Sequence, residues 1–173
     1  TITVDKPITS QTGTLNIDLN ATTGVIVDAD ITTNGGSFHS DGTTFSQTDK
    51  TISTGSGAAV LNHSGAVALK SFTSSSLSVT ASGAITDSGT LTISGTTTLA
   101  AGSGNNITLN TAGNNFTGAV IITSGNDVTL VDTNAIVMGA STVSGTLSVS
   151  STGTITDNGD ALAVTGTTTL AAG

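Results

Sequence analysis

The sequence contains no cysteine, no tryptophan and no tyrosine, and its only proline is Pro7. Glu and Arg are also missing: all eleven acidic residues are Asp and all three basic residues are Lys. Each absence excludes something. Without cysteine there are no disulfides and no thiolate metal sites. Without Glu and Arg, and with three Lys, the polar helix formers are nearly gone, and weak helix formers stand in their place. A helical or α/β domain is therefore excluded as an expectation. No apolar run approaches the ~18 residues of a membrane span. Thr1–Pro7 has neither the basic start nor the apolar core of a secretory signal. The formal net charge is −8. Three scattered lysines cannot replace the counterions of a phosphate backbone, which excludes DNA and RNA as expected partners. An anionic membrane surface is excluded in the same way.

What is present is hydroxyl residues, glycine and aliphatics. Thr and Ser together make 59 of the 173 residues, and Gly adds 22. Val, Ile and Leu recur throughout, and the mean hydropathy is +0.26, so the chain has the means to build a core. The aliphatics alternate with polar residues in short runs, as in Leu15-Asn16-Ile17, Leu91-Thr92-Ile93 and Val128-Thr129-Leu130. A period of two means a strand with one buried and one wet face.

The sequence repeats itself. Leu77–Gly102 and Leu147–Gly173 align with 17 identities over 25 positions, at an offset of 70 to 71 residues. A shorter period lies inside: Ser103–Leu109 reads SGNNITL and Ser124–Leu130 reads SGNDVTL, 21 apart. Glycines in turn contexts fall at 13, 35, 57, 83, 104, 125, 145 and 166, with gaps of 20 to 22 except for 26 between Gly57 and Gly83. Positive φ at such turns is the expected reason for glycine. These facts predict an all-β parallel β-solenoid without helix, of about 8 coils of about 20–23 residues. Residues 1–173 form one segment, with less regular coils over 1–65 and repeats of about 70 residues over 66–173. Leu77 to Met138 counts as roughly nine strands, three per coil. The 70-residue unit is expected to hold three coils of unequal length. Gly35–Ser56 is expected to contain a longer loop or irregular corner. Because GTTTLAAG at Gly95–Gly102 runs into another coil while the same octet ends at Gly173, the chain reads as a piece of a longer repeat protein.

The runs GTLSVSSTGTITDNG, GTTTLAAG and SGNDVTLVDTNAIVMGAS resemble the repeat regions of filamentous-haemagglutinin-like proteins, large surface proteins of Gram-negative bacteria exported by two-partner secretion. The resemblance covers about Leu61 to Gly173 well and the first 60 residues loosely. It implies a right-handed parallel β-helix, an extracellular or cell-surface location, and a role in adhesion, fibre formation or display of a distal domain. Its implied partners are copies of the chain itself, host or neighbouring-cell surfaces, and glycans. The family's NPNG-type secretion motif is absent, and an RGD motif is impossible without Arg.

Candidate sites are few, and no catalytic, cofactor or metal residue is assigned. Asp28 and Asp30, two apart, have the spacing of a cation or acid–base pair, but no Arg and no local His or Lys accompanies them. His39, Asp41, Asp49 and Lys50 form the most ionisable stretch, read as an exposed loop. His63 reads as a turn residue. Asp127, Asp132, Asp157 and Asp160 read as turn stabilisers, and the calcium nonapeptide of other solenoids is missing. Sequons at Asn20, Asn62, Asn106 and Asn115 are no more numerous than composition predicts. Most of Phe38, Phe45, Phe72 and Phe116 are expected to fill the core or cap a loop, with Phe38 and Phe45, inside the polar stretch, the only two open to exposure; Met138 is expected in the core. Lys6, Lys50 and Lys70 are too dispersed for a basic groove. The reading is a non-enzymatic rod or fibre segment. Its rivals are a self-assembling fibre subunit, a polysaccharide-active β-helix enzyme, which needs clustered Asp and a base, and an ice-binding solenoid, which needs a Thr pair on one face of every coil.

Overall fold

Each alternating run of two to six residues is a strand, and three strands make a coil. The computed structural model describes residues 1–173. The first four coils are β1 (Ile2–Val4), β2 (Ile8–Thr9), β3 (Ile17–Asn20); β4 (Gly24–Val27), β5 (Ile31–Thr32), β6 (Phe38–Gly42); β7 (Thr44–Gln47), β8 (Thr51–Ser53), β9 (Ala58–His63); and β10 (Val67–Leu69), β11 (Ser71–Ser74), β12 (Ser76–Ala81). The next four are β13 (Ile85–Asp87), β14 (Leu91–Ile93), β15 (Thr97–Ala100); β16 (Ile107–Leu109), β17 (Asn115–Phe116), β18 (Val120–Ser124); β19 (Val128–Asp132), β20 (Ile136–Val137), β21 (Ser141–Val143); and β22 (Leu147–Ser151), β23 (Ile155–Thr156), β24 (Leu162–Val164). The strand β25 (Thr168–Ala172) opens one more coil. There is no helix.

Every strand pairs in parallel with its equivalent one coil away, so the chain winds into a three-sided β-solenoid. The first face is one sheet of nine strands, from β1 to β25. The second and third faces each hold a six-stranded sheet followed by a two-stranded one. Register on the first face runs Ile2, Val25, Phe45, Val67, Ile85, Ile107, Val128, Leu147, Thr168, so successive coils take 23, 20, 22, 18, 22, 21, 19 and 21 residues. At roughly 4.8 Å per coil the stack is about 38 Å long. Leu77 to Met138 spans β12 to β20, the nine strands expected.

The 70-residue repeat does not hold three coils. Its first copy starts with β12 on the third face, and its second starts with β22 on the first face. Ten strands separate them, which is three coils and a third. The glycine spacing records the same step. Gly13, Gly35 and Gly57 lie between the second and third faces; Gly83, Gly104, Gly125, Gly145 and Gly166 lie between the third and first. The gap of 26 from Gly57 to Gly83 is where the glycine moves one corner along.

Gly57, Gly83, Gly145 and Gly166 are required by crowding, not by φ. Among the corner glycines only Gly13 and Gly35 have positive φ. A Cβ at Gly57 would stand 2.0 Å from the carbonyl oxygen of Gly36, and one at Gly36 would stand 2.1 Å from that of Leu15. Here backbone passes over backbone from coil to coil, and no side chain fits between.

The inward residues stack into columns. Ile8, Ile31, Ile52, Phe72 and Leu91 line the second face, and Leu19, Ser40, Leu61, Val79, Leu99 and Ile122 the third. All four phenylalanines are buried, Phe38 and Phe45 included, and Met138 is buried as expected. Phe38 sits edge-on to Phe45 and Phe72, with centroids 6.3 and 6.0 Å away; the three rings come from three faces and fill the centre of adjacent coils. Gly35–Ser56 is no irregular loop: it forms β6, β7 and β8 in regular register.

Corners interrupt the backbone ladder, and short polar side chains bridge the interruption. The Oδ1 atoms of Asn16, Asp30, Asp87, Asn106 and Asp127 accept the N–H of Ser37, Thr51, Asn110, Asp127 and Thr146, each one coil further on, at 2.8–3.1 Å. Where the second face breaks between β17 and β20, the buried Asp132 carboxylate accepts Phe116 N–H at 2.9 Å and Asn134 N–H at 2.6 Å. Where the third face breaks, Ser141 Oγ accepts Ile122 N–H at 3.0 Å. This accounts for Asp and Asn without Glu: the acceptor has to reach one coil and no further. The two bonds from Thr146 hold the Asp127 carboxyl below the usual range.

Candidate functional site

The strand alternation of β6 turns His39 and Asp41 to the same outer side of the third face. Parallel register places Asp18 of β3 beside His39, and Asn62 of β9 beside Asp41. The four side chains meet across three coils. Asp18 Oδ1 lies 3.3 Å from His39 Nδ1, and Asp41 Oδ1 lies 3.2 Å from His39 Nε2. Asn62 Nδ2 donates to Asp41 Oδ1 at 3.0 Å and lies 3.3 Å from His39 Nε2. The cluster stands on a flat outer face, with the His39 and Asp41 side chains 36% and 30% exposed.

This corrects the sequence reading in two ways. His39 belongs to a strand, not a loop, and Asp49 is not its neighbour: Asp49 pairs with Lys70 Nζ at 3.1 Å. Asp18 and Asn62 were missed, although the 21-residue period leads to both, since each lies one period from His39 or Asp41.

His63 is no turn residue. It ends β9 pointing inward, where Ser40 Oγ lies 3.2 Å from its Nε2 and Phe45 packs 5.6 Å from its ring. Its Nδ1 is buried without a partner. Burial lowers its pKa, and the Asp41 charge and the contact with Ser40 oppose that only in part. The Ser40–His63 pair faces the core and is buried.

The remaining candidates are dispersed. Asp28 and Asp30 are exposed at the corner after β4, with Ala29 buried between them, and Asp30 is engaged as a coil bridge. Asp157 accepts Gly159 N–H at 3.0 Å in a local turn, as expected. The sequon residues Asn62 and Asn106 are engaged in coil-to-coil hydrogen bonds. The outward file of the first face runs Thr86, Thr108, Thr129, Ser148, Thr169. Beside it stand Val131, Ser150 and Ala171, so the face carries one hydroxyl file and not the pair that an ice-binding surface needs. Thr97 of the Thr96-Thr97-Thr98 run points inward. One cavity, of about 370 Å³, opens at the last coil between Met138, Ile155, Thr156, Asp157, Leu162 and Leu170. It is the mouth of the apolar interior and lies coils away from His39.

The family described as "Repeats of unknown function (DUF5649)" matches residues 56–123 and 125–173. The chain belongs to this family. The first DUF5649 match takes in β9 to β18, ten strands beginning on the third face; the second begins with β19 on the first face. The family repeat and the ten-strand step therefore agree. Comparison with curated proteins and with solved structures finds no match.

Proposed function

We propose that this chain is a non-enzymatic rod segment of a large, exported bacterial surface protein of the filamentous-haemagglutinin-like, two-partner-secretion kind. It holds an adhesive or effector region away from the cell, or forms part of a fibre. The observation that carries this reading is the unbroken nine-strand sheet of the first face. Backbone hydrogen bonds there run along the axis from coil to coil, so a pull along the axis loads many of them together. The corner bridges add side-chain bonds in the same direction. The net charge of −8 favours solubility of an exposed surface.

Partner contacts on such a rod are made through extended hydroxyl-rich faces, toward glycans, a neighbouring cell or other copies of the rod. In a tandem array, each ten-strand repeat starts one face further round than the last. Three repeats make ten coils and return to the starting face after about 48 Å. Equivalent patches then follow a spiral, and the rod offers the same surface to every side.

Antibodies raised against this chain test the location. On intact cells, immunogold should label filaments or the outer surface. Label confined to the interior of permeabilised cells rejects the surface reading.

A further inference from the structure

We propose that His39, Asp41 and Asn62 form a coordination site for a borderline divalent cation such as Zn²⁺, Co²⁺ or Ni²⁺, with Asp18 as its positioning residue. A metal bound about 2.0–2.1 Å from nitrogen and oxygen donors holds neighbouring donors roughly 2.9–3.4 Å apart in octahedral or tetrahedral geometry. His39 Nε2, Asp41 Oδ1 and the Asn62 amide form a triangle with sides of 3.2, 3.0 and 3.3 Å. Turning the Asn62 amide by half a rotation puts its Oδ1 at the third corner, since the two amide positions differ only in which atom faces inward. Water completes the shell, because the face is open.

The fourth residue fixes the ring. Asp18 Oδ1 faces His39 Nδ1 at 3.3 Å. The other ring nitrogen, Nε2, faces the Asp41 carboxylate at 3.2 Å. A cation between them takes a donor atom from each. A carboxylate holding the far nitrogen of a ligating histidine is the usual support of such a ligand. Asp18, His39 and Asp41 each offer one donor atom within 4.8 Å of the others, with Asp18 on the Nδ1 side of the ring. Asp18 and Asp41 bring two carboxylates to the same ring, one at each nitrogen. Imidazole with carboxylate and amide oxygens suits borderline metals over Ca²⁺. Once bound, the ion ties β6 to β9 from outside, a clamp between two coils that the backbone ladder already joins.

Titration of the intact chain with Zn²⁺, followed by calorimetry, tests this. One ion per chain is expected. His39→Ala should weaken binding at least tenfold. Asp18→Asn should weaken it less, and Asn62→Asp should tighten it by adding a charged donor. All three residues lie on the outer face, and circular dichroism checks each fold. In the unaltered chain, Ni²⁺ should broaden the His39 ring resonances in NMR and spare those of His63. Failure to saturate by millimolar Zn²⁺, binding that survives His39→Ala, or broadening that misses His39 overturns the proposal.

Discussion

Leu77 and Leu147 occupy the same position in the 70-residue repeat, yet they lie on different faces of the solenoid. Leu77 stacks between Ala59 and Thr97 on the third face, and Leu147 between Val128 and Thr168 on the first. Sequence equivalence therefore advances by a strand while structural equivalence advances by a coil. Both positions need an inward aliphatic followed by an outward Ser, and every face offers that. Paired spin labels can measure the step. Thr86 and Ser148 share an outward column three coils apart, about 14 Å at the backbone. Labels at Thr86→Cys and Ser148→Cys should be closer than labels at Ser78→Cys and Ser148→Cys. The opposite order is what a three-coil unit would give.

Two glycines with similar sequence surroundings should respond in opposite ways. At Gly57 a Cβ meets the Gly36 carbonyl oxygen at 2.0 Å, and backbone cannot yield as a side chain can. Gly57→Ala should lower stability by about 2–4 kcal/mol in urea unfolding. At Gly104 nothing lies within 4 Å and φ is not positive. Gly104→Ala should be neutral or stabilise by about 0.4–1 kcal/mol, through the unfolded chain.

Asp132 is buried and accepts two backbone N–H groups at the break in the second face. Asp132→Ala leaves both donors without a partner and should cost about 2–4 kcal/mol. Asp28→Ala, at an exposed corner, should change the urea midpoint very little. Equal effects from the two would contradict the bridging role.

His63 gives a pH dependence with a fixed sign. Its folded pKa lies below the ordinary value of about 6.5, chiefly because burial disfavours the charged ring. The unfolded chain therefore binds the proton first as pH falls. This group leaves stability intact above about pH 6.5 and removes it progressively as pH drops through the folded value. His63→Ala should flatten that part of the profile. Its partners in the column, Gly42 and Ala81, are small, so the space left beside Phe45 lowers stability at every pH and leaves the slope as the readout. A wild-type profile level from pH 8 to pH 5 contradicts the assignment.

Much of the fold was legible because it rests on period two and period 21. Leu91-Thr92-Ile93 and Val128-Thr129-Leu130 are strands with the faces expected of them. The coil count follows from the SGNNITL and SGNDVTL spacing. What misled was composition over a window: Phe38, His39, Phe45 and Asp49 sit among polar residues and read as a loop, although the alternation Phe38-His39-Ser40-Asp41 was already that of a strand. The His39 cluster was half visible. His39 and Asp41 are two apart in sequence, on one side of the same strand, whereas Asp18 and Asn62 join them only through the coil register. The glycine rule failed for a different reason, since crowding between stacked coils leaves no trace in a single coil.

The central claim is a stiff solenoid whose repeats advance one face at a time. Helical averaging in electron microscopy of the native filament containing these repeats tests it most directly. The account predicts a thin rod with strands about 4.8 Å apart along its axis, and successive repeats related by a rise of about 16 Å with a third of a turn. A compact globule, or a rod whose repeats are related by translation without rotation, would contradict it.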